Sequence, residues 1–599
     1  MTELSKKQRQ LMEKMLKEKG LASIPRPKEE KNITIFPNQD NRYEAYPLTD
    51  IQQSYLLGRN QKFILGNVSS HAYIEMDIEG LDIERYEYAW QKIVQRHDML
   101  RTVVYQNGTQ QTLKDVPEFK VTAHDFTDLP NKEAKQKALL DLRTSLSHQV
   151  LKTDQWPLFN IHVSNIDNVN YKIHWSFDAI ISDVYSTFVF QEELYNYYHQ
   201  SDTKYTPLEL SFRDYVLTLK EQEKTPDYEK AKNYWLESIK TLPSAPMLPL
   251  KKELREIQKP LFKRLKHSME IDQWKKIKQE SKDHGLTTTT VLLTAFSHIL
   301  RRWSKNPNFT LNMTVFNRQP WHQDMDKIVG DFTITMLLGI DALSGKNKVF
   351  KNLAKNIQAK LFTDLEHRLY SGVNVMQHWS KLTGNKQIAP IVFTSALTVG
   401  DVSSKLDTDK NQLGKMSYSI TQTPQVLLDH QVYEENGRLI IHWDYVEEAF
   451  EDDLLSTMFN AYVEVIELLA SDSTLWYKEI FIDTPSTQNY LRITYNDTQN
   501  ETLLKSADKP LYYPFNEQVK AQANAIAIVS SDKTLTYEDL AYRAYELTLQ
   551  LQTKGVGVGD NIAIILPKGW QQVVAVLGVL ASGATYIPID STSPKLRLE

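Results

Sequence analysis

The 599-residue chain contains no cysteine. That excludes disulfides, cysteine-ligated zinc and a cysteine nucleophile of its own, and it fits a reducing compartment. The chain also lacks an excess of one charge. Its 70 Lys and Arg against 75 Asp and Glu leave −5, so no electrostatic case exists for a nucleic-acid partner. Long hydrophobic runs are missing too. The N-terminus, Met1-Thr-Glu-Leu-Ser-Lys-Lys7, has no secretory apolar core, and the longest apolar stretch, Val573 to Gly583, is too short to span a bilayer. These absences lead us to expect a cytoplasmic protein with no membrane partner. The rest of the composition, 41% hydrophobic and 24% charged, is that of a soluble globular chain long enough for about three or four domains.

Along the chain, Leu4, Leu11, Met12, Met15 and Leu16 form a helical stripe over 3–19, and Gly20 supplies the stop. Five lysines make its other face basic, which reads either as a solvated face or as a docking segment over 1–20. Residues 21–44, with Pro25, Pro27 and Pro37, read as a linker. Strands and helices then mix up to about 485, with a seam near 200–250 that divides the region into an N-lobe over 45–215 and a C-lobe over 216–485. A long helix is expected at 287–304, and strands at 308–316, 390–397 and 424–445. Asn436-Gly437 between alternating runs marks a two-residue hairpin. A linker over 486–511 precedes a change of character at 512–599. There a helix from Leu535, a strand to Pro567, a helix near 569–581 and a strand at 584–590 read as the start of a further α/β domain.

The most informative local feature is a pair of aspartates, Asp178 and Asp183. Before Asp178, Tyr171, Ile173, Trp175 and Phe177 alternate with Lys172, His174, Ser176 and Asp178, the pattern of a half-buried strand ending at a carboxylate. Ser182 or Asp183 then opens a helix from Val184 to about Tyr198, and the local reading of Asp183 is a helix N-cap. His174, Asp178 and Asp183 are metal ligands by type, but no second ligand cluster accompanies them, and no metal is expected. A second alternating strand puts Leu427, Asp429, Gln431 and Tyr433 on one face. A carboxyl among Leu and Tyr is either paired structurally or tuned for proton transfer.

Taken in order, these motifs resemble the heterocyclization domains of nonribosomal peptide synthetases, relatives of the condensation domains. The resemblance rests on Tyr46-Pro-Leu-Thr-Asp-Ile-Gln-Gln-Ser-Tyr-Leu-Leu-Gly-Arg59, Arg96-His-Asp-Met-Leu-Arg101 and the Asp178/Asp183 pair. It continues through Leu311-Asn-Met-Thr-Val-Phe-Asn-Arg318, Gly330-Asp-Phe-Thr333, Pro390-Ile-Val-Phe-Thr-Ser395 and Thr423-Pro-Gln-Val-Leu-Leu-Asp-His-Gln431. Amide-forming relatives carry two adjacent histidines, three residues and then Asp-Gly. Here Asp178 and Ala179 stand in the histidine places, Asp183 keeps the aspartate and Val184 replaces glycine. An alanine exchanges no proton, so the resemblance points away from condensation alone. Leu535-Thr-Tyr-Glu-Asp-Leu540 and Val579-Leu-Ala-Ser-Gly-Ala-Thr-Tyr-Ile-Pro-Ile-Asp590 resemble the opening motifs of an adenylation domain, whose phosphate-gripping loop is absent here.

The resemblance implies an α/β fold of two chloramphenicol-acetyltransferase-like lobes in a V around a central tunnel, followed by part of an adenylation subdomain. The implied activity joins an acyl thioester, aryl by expectation, to carrier-bound Ser, Thr or Cys and then closes an oxazoline or thiazoline with loss of water, in siderophore biosynthesis. The alternatives are a condensation domain that stops at the amide, or a non-catalytic module that recruits carriers. By this resemblance Asp429 is the acid/base residue and Thr394 its partner. Asn312, Gln425, Ser395 and Asp178 line or support the tunnel, while Asp183 organises the lobes by pairing with an arginine. Arg96, His97 and Arg101 are structural. No cofactor is expected to bind directly; phosphopantetheine arms of partner carriers hold the substrates. The expected partners are an upstream carrier in trans, a downstream peptidyl carrier and the chain's own full-length adenylation domain.

Overall fold

The computed structural model describes residues 33–341, 348–397, 413–482, 486–500, 504 and 507–593. The basic helix expected over 3–19 lies outside the described residues, as does the linker up to residue 32. The chain divides into two units, Met1–Asp483 and Thr484–Glu599.

Three sheets build the first unit. A small one contains β1 (Tyr46–Pro47), β3 (Thr102–Val104) and β4 (Thr109–Thr112). A five-stranded sheet contains β2 (His71–Glu79), β5 (Thr122–Asp125), β6 (Phe159–Asn165), β7 (Asn170–Asp178) and β12 (Lys415–Gln422), in the order β12-β2-β7-β6-β5. A six-stranded sheet contains β8 (Phe262–Met269), β9 (Phe309–Phe316), β10 (Thr333–Ile340), β11 (Ile391–Ser395), β13 (Leu428–Glu435) and β14 (Arg438–Val446), in the order β10-β9-β11-β13-β14-β8. Two hydrophobic cores sit against the two larger sheets, giving two α/β lobes.

The crossover strand β12 has no counterpart in the sequence reading. It lies in the second half of the chain, yet it pairs antiparallel with β2 and forms the edge of the first lobe's sheet. Nothing in its own pattern distinguishes a strand that joins its neighbours from one that joins a distant sheet.

Strand β7 alternates as expected, but it is not half-buried. Ile173, Trp175 and Phe177 enter the core, where Trp175 meets Trp90 edge-on at 5.3 Å. His174, Ser176 and Asp178 on the other face are buried as well. Their polarity is matched by partners: His174 by Tyr73 at 2.7 Å and Ser164 at 2.9 Å, and Ser176 by His71 at 2.9 Å. Alternation of polarity therefore marked two interiors, one apolar and one hydrogen-bonded.

The helix expected at 287–304 spans Thr288–Trp303, with Thr287 as its N-cap. Asn436 and Gly437 both take positive φ, 49° and 73°, as a tight hairpin turn between β13 and β14 requires. The helix Leu454–Ser471 is long and apolar enough to cross a membrane. Leu455, Met458, Phe459, Tyr462, Val465, Ile466 and Leu469 bury one face of it in the second lobe's core.

His430 sits in that core with no hydrogen-bond partner for either ring nitrogen among the described residues, stacked on Phe393 at 4.5 Å. Burial holds its imidazole down at about 3. The unfolded chain therefore binds a proton between pH about 6.5 and 3 that the folded chain refuses, and stability falls as pH falls through that window. His430→Phe is expected to raise stability by about 1 kcal/mol at pH 8, by removing an unsatisfied polar ring. The gain should widen at pH 5. Chemical denaturation at both pH values checks this; an equal or smaller gain at pH 5 would refute the account.

In the second unit, Thr536 and Asp539 form a capping box that starts the helix Tyr537–Thr553. Strands Asn561–Ile565 and Thr585–Ile589 pair in parallel, joined through the helix Trp570–Ala581 as a βαβ unit.

Candidate active site

The registers of the six-stranded sheet bring distant residues into two neighbouring rows. In one, Asn312 lies beside Val392, Val392 beside Asp429, Asp429 beside Asp444 and Asp444 beside Arg264. In the other, Thr314, Thr394, Gln431 and His442 are neighbours in turn. Positions two apart on a strand share a face, so both rows point the same way. All but Asp444 line a cavity of about 530 Å³ whose other wall includes Tyr55, Ser70, Ala179 and Phe188 from the first lobe.

Asp429 is the focus of this face. Gln431 Nε2 donates to its Oδ2 at 2.7 Å, and the Thr394 hydroxyl lies 3.3 Å from its Oδ1. The Thr394 hydroxyl also donates to Thr314 Oγ1 at 2.9 Å, so Thr314 and Asp429 are alternative acceptors of its single proton. The only nearby guanidinium, that of Arg264, is committed elsewhere among the described residues: its Nε donates to Asp444 Oδ1 at 2.6 Å. Asp444 is held further by the backbone N–H and hydroxyl of Thr421, at 2.9 and 2.6 Å. Burial, reinforced by the Asp444 charge, pushes the Asp429 carboxyl up to about 7. Such a group gives and takes protons at neutral pH.

Asn312 lines the cavity one strand beyond Val392, with a buried Oδ1 that has no partner among the described residues. Gln425 lines it too; its φ of 64° is the left-handed conformation, and its N–H donates to Leu65 O at 2.9 Å. Ser395 does not belong with them. It follows Thr394 by one residue, so the pleat turns it to the opposite face, where its hydroxyl meets Thr289 at 2.9 Å. The expectation of a tunnel role for Ser395 is corrected accordingly.

The two motif aspartates lie apart in function. Asp178 is fully buried and paired with Arg59 from the opening motif, and its Oδ1 accepts from the Ile180 N–H at 3.1 Å. Asp183 caps the helix Val184–His199 through Ser186 N at 2.8 Å and also receives Arg318 Nη2 at 3.1 Å. That bond ties the first lobe to the segment between β9 and β10. Arg96 and His97 both bond Glu193, at 2.8 and 2.9 Å, and Arg101 bonds Asp98 at 2.9 Å. None of these three lines the cavity.

Several site residues escaped sequence reasoning. Asp444 and His442 stand two apart inside the apolar strand Arg438–Val446, a signal that was legible but passed over. Arg264 gave no such signal, because its strand has only weak alternation.

A condensation domain model matches residues 43–491, and an AMP-binding enzyme model matches 515–599. Among solved structures, the cyclization-docking bidomain of EpoB from Sorangium cellulosum is 34% identical, with a TM-score of 0.67; the match covers 78% of this chain and 91% of that one. The chain belongs to the condensation-domain family of nonribosomal peptide synthetases. Bacitracin synthase 1 of Bacillus licheniformis is 34% identical over 571 residues, covering 94% of this chain and 10% of that protein. Phenyloxazoline synthase MbtB of Mycobacterium sp. (strain MCS) is 32% identical over 555 residues, covering 92% of this chain and 46% of that protein. The chain thus spans less than half the length of either relative. All the cavity residues described above fall within the condensation domain match, and the second unit carries the AMP-binding match.

Proposed function

We propose that this condensation-family domain is a heterocyclase. It joins a carrier-bound acyl thioester, aryl in our reading, to carrier-bound Ser, Thr or Cys and then closes the amide to an oxazoline or thiazoline, in siderophore assembly. The reading rests above all on Asp429, a carboxyl held near neutrality on the wall of a cavity lined from both lobes. The names of two relatives, a phenyloxazoline synthase and a cyclization-docking bidomain, support it.

Amide formation asks little of the protein. A thioester is already activated, and holding two tethered substrates in one cavity converts their encounter into an effectively unimolecular step. Ala179 in the histidine place carries no proton, consistent with that division of labour. Ring closure needs more. The side-chain hydroxyl or thiol must lose a proton as it adds to the amide carbonyl, and the carbonyl oxygen must gain protons to leave as water. In this reading Asp429 takes the first proton as carboxylate and delivers it to the oxygen as acid, while Thr394 and Gln431 fix its orientation. Asn312, with its free carbonyl oxygen, holds an N–H of the substrate. An upstream acyl carrier and a downstream peptidyl carrier present the substrates on phosphopantetheine arms.

The test is product mass. The 599-residue chain is incubated with salicyl- or dihydroxybenzoyl-loaded aryl carrier and with Ser-, Thr- or Cys-loaded peptidyl carrier. A product lighter than the amide by one water is expected with one acceptor. Amide that retains the water with all three acceptors would leave only the condensation reading, and no product at all would favour carrier recruitment alone.

A further inference from the structure

A second cavity, about 70 Å³, lies behind the wall of the main one. Asp331, Thr333 and Thr335 line both. Asp331 is 2% exposed; its Oδ1 accepts from the Thr333 N–H at 3.0 Å, and its Oδ2 has no partner among the described residues. Gln222, also lining the small cavity, is 7% exposed and leaves its Oε1 without a partner. Unpartnered buried polar atoms on residues that line one space are ordinarily satisfied by water, and the volume is enough for a few molecules. At the rim stand Lys220 and Glu223, 29% and 36% exposed, so the chamber reaches solvent on that side.

The charged neighbourhood explains the state of Asp331. Arg318, a cation whose charge acts on Asp331, is paired with Asp183 and bonded to the Met325 and Ile328 carbonyls. Burial, and then the Asp183 charge, push Asp331 up to about 8, so at neutral pH it holds its proton. The phenols facing it, Tyr55 and Tyr215, are themselves pushed up by burial and stay protonated. Tyr55 lines the main cavity and feels both the Asp331 and Asp429 carboxyls, which places the two acids around one space.

The geometry points to a proton-relay site for the dehydration step, formed by Asp331 and the hydrated chamber behind it. The inference rests on the heterocyclization reading. Ring closure removes one proton from the attacking hydroxyl or thiol and one from the amide nitrogen; the C–O bond breaks, C=N forms, and both protons leave on the departing oxygen. No electrons are exchanged with any other reagent. Asp429 carries one proton at a time. After it has delivered the first to the oxygen it is a carboxylate, and the second must come from a store before the nitrogen proton is recovered. Asp331 is that store; Asp429 then takes the nitrogen proton, and the cycle closes as Asp429 releases that proton to solvent while Asp331 regains one by exchange through the chamber water.

The test uses the same loaded carriers and compares the unaltered chain with Asp331→Asn, which keeps a donor but holds no exchangeable acid. The expected result is ring formation slowed at least tenfold with amide formation within twofold, and loss of the alkaline limb near pH 8 from the ring-forming rate. Gln222→Leu, which dries the chamber without touching Asp331, is expected to slow ring formation severalfold and serves if Asp331→Asn does not fold. Ring formation by these variants at the unaltered rate, or equal loss of amide and ring, would overturn the relay alone. Absence of ring with the unaltered chain would overturn the heterocyclization reading and the relay together.

Discussion

Asp429→Asn is expected to reduce ring formation by about 10²–10⁴-fold, the range for loss of a general acid/base, while amide formation stays within a few-fold. The substitution keeps size and both hydrogen-bonding contacts, those from Gln431 Nε2 at 2.7 Å and with Thr394 at 3.3 Å, but removes the exchangeable proton. A purely structural role predicts the reverse pattern, with both products falling together. The carboxyl also leaves a trace in stability. With a folded value near 7 against about 3.9 in the unfolded chain, the folded protein holds a proton that the unfolded chain has released between those limits. Stability therefore falls as pH rises from about 4 to 7, and the deficit persists above that. Asp429→Asn removes this slope, so the variant should gain on the parent as pH rises and show no such gain below pH 4. Intact-mass analysis of carrier-bound products measures the first effect and thermal melting across pH the second. A variant that still forms ring at the parent rate would remove Asp429 from the chemistry.

Arg318→Ala is expected to cost about 3–5 kcal/mol, the usual penalty for stranding one member of a buried ion pair. Asp183 and Arg318 have side chains only 1% and 6% exposed. The guanidinium lies over the Phe332 ring at 3.9 Å, so its loss also opens packing. The stranded Asp183 carboxylate would sit beside Asp331, another buried carboxyl. Replacing both partners, as Asp183→Asn with Arg318→Met, should recover much of the loss, because no charge is then left unpaired. Chemical denaturation of the two variants provides the comparison. A single variant that loses under 1 kcal/mol, or a double variant no better than the single, would show that the pair does not hold the lobes in this way.

The secondary structure was legible where one short-range signal dominated. The Asn436-Gly437 turn, the Thr287-capped helix and the Asp183-capped helix each depend on backbone groups a few residues apart, which neighbouring side chains satisfy or leave open. The burial of β7 was misjudged for a related reason. Pattern reports which face is polar, whereas hydrogen-bonding partners such as Tyr73 and Ser164 decide whether that face is wet. The sequence suggested an arginine partner for Asp183 but not which one, and none for Asp178, because Arg318 and Arg59 lie 135 and 119 residues away along the chain.

Sequence by itself determined that this is an α/β chain without cysteine chemistry, that its ordered motifs are those of the condensation superfamily, and that Asp429 lies on a strand face shared with Gln431. These follow from composition, periodicity and motif order, which are local or one-dimensional properties. Tertiary structure alone decided that β12 crosses to the other lobe, that Ser395 turns away from the cavity, and that Arg264 is spent on Asp444 rather than on Asp429. It also decided that Asp331 stands between two cavities with one carboxyl oxygen unpartnered among the described residues. The physical reason is the same in each case: strand register and the partner chosen by a buried charge are settled by groups far apart in the chain. The burial that raises a carboxyl exists only once those groups have met.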